Sequence, residues 1–68
     1  MGEVKRMTVK ELLFHTVGGV HYRIEDYDTM RIIEEGTVND YIEDFENKIN
    51  REVGTVDIDN DNTLVVIV

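Results

Sequence analysis

The segment "DIDNDNT", residues 57–63, holds the densest set of potential ligands in the chain. Asp57, Asp59 and Asp61 stand at alternate positions, as the first, third and fifth residues of a calcium-binding loop do. The rest of that loop is missing. Its sixth position needs glycine for a sharp turn and here holds Asn62; its twelfth needs a bidentate glutamate and here holds Val68. Both flanking segments read as strands. Asp and Asn favour turns because their side chains bond the nearby main chain and tolerate left-handed geometry. The segment is expected to be a turn, with at most weak adventitious calcium binding.

The other chemistry-bearing residues are sparse. His15 and His21 are the only histidines and there is no cysteine, so a zinc site would rest on carboxylates at no recognisable spacing. His15 falls near the end of a helical pattern, where the dipole favours a cation, and His21 falls on the polar parity of a strand. The carboxylate pairs Asp26/Asp28 and Glu34/Glu35 could serve as acid and base only in a cleft that splits their pKa values. A domain of this size leaves little room for a pocket of ~300 Å³, so they read as solvated hairpin residues. Gly18-Gly19 has no phosphate-loop pattern around it and reads as a helix stop. Serine and cysteine are both absent, which removes two common nucleophiles. No catalytic, cofactor-binding or metal-ligating residue is expected, and the chain is not expected to be an enzyme.

Charge narrows the partners. Residues 25–46 hold nine acids and one base, Arg31, and so account for the whole net charge of −8. Direct nucleic-acid binding needs clustered Lys and Arg and is not expected. The longest apolar run, "LVVIV", is far short of the ~18 residues of a membrane helix. The first residues lack a signal-peptide core, and Arg6 breaks the myristoylation pattern. A soluble cytoplasmic protein is the expectation.

The elements that must position these residues follow from periodicity. Val9, Leu12, Leu13 and Thr16 or Val17 share one helix face. Thr8 and Glu11 form a capping box, and Met7 with Leu12 a hydrophobic staple, so a first helix is expected over Val9–Thr16. Val20, Tyr22 and Ile24 alternate with polar residues as a strand. Asp26, Asp28 and Thr29 supply a turn, and Met30 and Ile32 open a second strand. Thr37 caps a second helix, with Val38, Tyr41, Ile42, Phe45 and Ile49 on its apolar face. It is expected over Val38–Lys48. A second hairpin pairs Val56 and Ile58 with Leu64, Val66 and Val68, and Gly54 marks a possible bulge site. Tyr22, Tyr41 and Phe45 are assigned to the core. The result is one domain over residues 7–68, of α+β class, in the order α-β-β-α-β-β: a four-stranded antiparallel sheet of two hairpins packed with two helices. Residues 1–6 read as a poorly ordered N-terminal extension.

The layout of "MTVKELL" at the start, "YRIEDYDTMRIIEEG" in the centre and "REVGTVDIDNDNTLVVIV" beyond resembles a group of short, acidic, uncharacterised proteins. These are encoded on phages, plasmids and conjugative elements of Gram-positive bacteria. The resemblance spans the chain from Met7 on. It implies a small accessory protein and carries over no active-site residue.

Three interaction surfaces follow. The leading reading is a non-catalytic accessory protein that binds another protein. The alternative is an acidic nucleic-acid mimic, of anti-restriction or anti-CRISPR type, presenting Asp40, Glu43, Asp44 and Glu46 with Glu34 and Glu35 to a basic groove. The third concerns "TLVVIV", which is apolar on both strand faces and so belongs inside the sheet, beside the first strand. With the helices over Leu64, Val66 and Val68, the opposite face bearing Val65 and Ile67 would be covered by a second copy in a two-fold dimer; the alternative is a monomer with the two helices on opposite faces.

Overall fold

The computed structural model describes residues 7–68. The expected extension, residues 1–6, lies outside the described residues. Both helices start where their capping residues put them. Helix α1 (Val9–Phe14) opens with a reciprocal capping box. The Glu11 N–H donates to the Thr8 hydroxyl at 3.3 Å, and the Thr8 N–H donates to the Glu11 carboxylate at 3.2 Å. It stops two residues before the expected Thr16. There the N–H groups of His15 and Thr16 bond carbonyls only three residues back, on Leu12 and Leu13. The Thr16 hydroxyl also takes the Leu12 carbonyl, at 2.8 Å.

Helix α2 (Val38–Glu43) begins with the Thr37 hydroxyl accepting from the Asp40 N–H at 3.2 Å. It ends well short of the expected Lys48, and a separate 3-10 turn, Phe45–Asn47, follows. Glu43, Asp44 and Glu46 would crowd the negative end of a longer helix, which disfavours acids there. The break also lets the Tyr41 hydroxyl donate to the Ile49 carbonyl at 2.7 Å, folding the chain back over the core.

The strands are β1 (His21–Glu25), β2 (Ile32–Thr37), β3 (Thr55–Ile58) and β4 (Leu64–Ile67). Both hairpins are present, and the element order differs from the expected one by the 3-10 turn after α2. The expectation of a fully antiparallel sheet is corrected: the sheet is mixed, in the order β2-β1-β4-β3, and β1 runs parallel to β4. The cause lies in the connection. After β2 the chain passes through α2 and residues 44–54 back along the height of the sheet. A parallel crossover needs a dozen or more residues of that kind. As a result β3 starts at the same end as β2, and β4 lies alongside β1 in the same direction. As expected, β4 is interior to the sheet.

Register assigns the two faces. Tyr22 lies opposite Leu64, and Ile24 opposite Val66; these four side chains face both helices. With Val9 and Leu13 of α1 and Val38 and Tyr41 of α2 they form the buried cluster. Tyr22 and Tyr41 meet edge to face, with centroids 5.7 Å apart. Phe45 is only partly buried and packs edge to face on the exposed Phe14, with the Lys10 ammonium 4.4 Å from its ring centre. Among the described residues, no helix is long and apolar enough to cross a membrane.

Candidate interaction surface

The "DIDNDNT" segment is the β3–β4 turn, and its carboxylates serve the main chain. Asp57 accepts from its neighbour, the Ile58 N–H, at 2.8 Å; Asp59 accepts from Asn60 at 2.7 Å and Asp61 from Thr63 at 3.2 Å. Asn62 takes a left-handed φ of 65°, the tolerance for which asparagine suits a turn. Among the described residues, no group of three His, Cys, Asp or Glu side chains is placed to hold a metal ion. His15 caps α1, with Nδ1 2.7 Å from the Glu11 carbonyl oxygen, and is exposed.

The sheet face away from the helices carries charge. Arg23 sits in the middle strand pair, its Nε 2.8 Å from Glu25 and its Nη2 3.0 Å from Asp59. Asp59 follows β3, so this reach crosses β4, and Val65 is the register partner of Arg23 on that path. Val65 is 7% exposed and Ile67 is half-buried within the single chain. The chain therefore supplies much of the cover over Val65 that a second copy would have been needed for. The main-chain N–H of Asn60 and the guanidinium of Arg23 together hold the Asp59 carboxyl below its usual range. Beside this bridge lies an open hollow of about 360 Å³ lined by His21, Tyr22, Arg23, Glu35, Gly36, Asp61 and Thr63.

The expected acidic surface divides. Asp40, Glu43, Asp44 and Glu46 are all exposed, and among the described residues none has an ion-pair partner. Glu35 is exposed on the charged face, opposite Arg23. Glu34 is different, and the reading of it as a solvated hairpin residue is corrected. It lies on the helix side of β2, half-buried, accepting from the Tyr22 hydroxyl at 2.9 Å and from the Ile49 N–H at 3.3 Å. Burial first, and then the Glu34 carboxylate, push the Tyr22 phenol far above its ordinary value. Glu34 thus ties β2 to the segment after α2 and does not join the surface charge.

Sequence reasoning placed β3 but missed that it is uncovered. All four of its residues are exposed, and Val56 (43%) and Ile58 (60%) are exposed large apolar side chains. Val56 lies opposite Val66, and Ile58 opposite Leu64, so both face the helix side, yet neither helix reaches them. The sequence carried no signal for this, because the expected helices would be about 12 and 16 Å long; the six-residue helices that form are about 9 Å long, and four strands stand about 14 Å across. Two such helices leave an edge strand bare.

No protein-family model matches the chain, and no curated protein or solved structure is significantly similar to it.

Proposed function

We propose that the chain is a small, non-catalytic, cytoplasmic accessory protein of a bacterial mobile element, and that it works by binding another protein on the β3 side of its sheet. The observation that carries this reading is the bare pair Val56 and Ile58. Two apolar side chains stand on the core side of the sheet, at its edge, with no part of the chain over them. Apolar groups placed together at a rim are what a docking partner buries. A photo-crosslinking side chain at position 56, compared with one at position 46, tests the reading in extract of the source cells. A discrete crosslinked protein from position 56 supports it. The same protein captured equally from position 46, or none from either, rejects it.

A second reading has its own observation. Asp40, Glu43, Asp44 and Glu46 are exposed and without ion-pair partners among the described residues along α2 and the turn beyond it, and the last three line a shallow hollow of about 240 Å³. Such a patch suits a mimic of the phosphate backbone, competing with DNA for a basic groove and weakening steeply with salt. The double change Glu43→Lys and Asp44→Lys would abolish that competition and leave contacts made at β3 intact.

A further inference from the structure

The open edge of β3 has a defined polarity. The Asp59 N–H donates to the Thr63 carbonyl at 2.9 Å, so this pair is hydrogen-bonded across the hairpin. Bonded and unbonded pairs alternate along an antiparallel ladder. Asp57 and Thr55 therefore turn their main chain toward β4, and Val56 and Ile58 turn theirs outward. The Ile58 N–H agrees: it is taken by the Asp57 carboxylate and not by β4. The edge thus offers the main-chain groups of Val56 and the carbonyl of Ile58, the apolar side chains of the same two residues on the helix side, and between them the Asp57 carboxylate, which holds the Ile58 N–H and must release it for the ladder to extend.

We infer that β3 is a charge-selective strand-addition edge, and that its occupant is an extended segment of another protein, antiparallel to β3, with apolar and basic residues alternating. This rests on the reading that a partner binds at β3. Main-chain pairing would add a fifth strand to the sheet. The residues opposite Val56 and Ile58 then face the helix side and are apolar, and the residue opposite Asp57 faces the charged side and is Lys or Arg. Charge also decides against a second copy. The two-fold register that pairs Val56 with Ile58 in both directions sets the two Asp57 carboxylates directly opposite each other, between chains of net charge −8. Slipping by two residues loses apolar pairs. Asp57 is thus a guard against self-pairing and a selector for a basic strand.

End-blocked seven-residue peptides, titrated into the full chain by NMR, test this. The first alternates valine and lysine, with valine at both ends; the second replaces lysine with glutamate; the third groups the same valines and lysines in blocks. The alternating valine–lysine peptide should bind at least ten-fold more tightly than the other two, shifting resonances at residues 55–58 and not at 40–46. N-methylation of its valine nitrogens, which face β3 in this register, should abolish binding, whereas N-methylation of its lysine nitrogens should spare it. Asp57→Lys should reverse the preference to the valine–glutamate peptide, with resonances of the buried cluster unchanged. Equal binding of the block peptide, indifference to valine N-methylation, or an unreversed preference overturns the inference. If no peptide binds while position 56 still crosslinks a protein, strand addition is wrong and the β3 docking reading stands; if crosslinking also fails, both fall.

Discussion

Ile24 and Ile58 sit on the same side of one sheet, with β4 between their strands, and their surroundings differ throughout. Ile24 is wholly buried under α1 and α2, whereas Ile58 is mostly in solvent. Residue type and strand parity are the same, so neither decides the outcome. What differs is reach: two six-residue helices close over β1 and β4 and stop there. The same side chain is thus part of what holds the domain together at one position and surface at the other.

The largest test of that contrast is Ile24→Ala. Truncating a fully buried Ile costs about 2–5 kcal/mol, and a single core of this size supplies only about 3–5 kcal/mol of net stability. Urea unfolding should show most or all of the fold lost. Tyr22→Phe comes next. It removes the hydroxyl bonded to Glu34 and leaves a half-buried carboxylate with only the Ile49 N–H, for about 1–2 kcal/mol, read as a lower urea midpoint at unchanged slope. Thr37→Ala removes the cap on α2 and should cost about 1 kcal/mol in the same assay.

Acid sharpens the comparison from the charged side. The Asp26 carboxyl is held below its ordinary 3.8 by the N–H groups of Asp28 and Thr29, with Arg51 nearby. Asp59 is lowered in the same sense. A depressed folded pKa adds stability that is present above the ordinary value and lost as pH falls below it. Thermal stability should therefore fall below about pH 4, and Asp26→Asn should flatten that dependence. The smallest effect is expected at the other end of the opening contrast. Ile58→Ala should change stability by less than about 0.5 kcal/mol while weakening whatever binds β3.

The parts of the fold that sequence made legible are those fixed by residues close together in the chain. Thr8 with Glu11, and Thr37 with Asp40, set both helix starts through bonds three residues long. Asp26, Asp59 and Asn62 set the turns. The parallel pairing of β1 with β4 was not legible, because Leu64, Val65 and Val66 read as interior whichever way the strand runs. The length of α2 was misjudged because apolar spacing continues through Phe45 and Ile49 after the helical hydrogen bonds have stopped. Of the surfaces, the exposed acids along α2 were visible as charge. Glu34 was not, since only register shows that it shares a face with Tyr22. Nor was the bareness of Val56 and Ile58, which depends on what the helices fail to cover.

The parallel pair at the centre of the sheet also sets an order of events. Tyr22 meets Leu64, and Ile24 meets Val66, across most of the described chain. Closing that loop costs entropy that no local contact returns, so the hairpins and helix starts form early and the central pair late. Until β4 is in place, β1 is bare along one side, with Tyr22 and Ile24 without their partners. During that interval the acids of residues 25–46, most of which are exposed in the finished fold, repel an unfinished and sticky intermediate from another like itself.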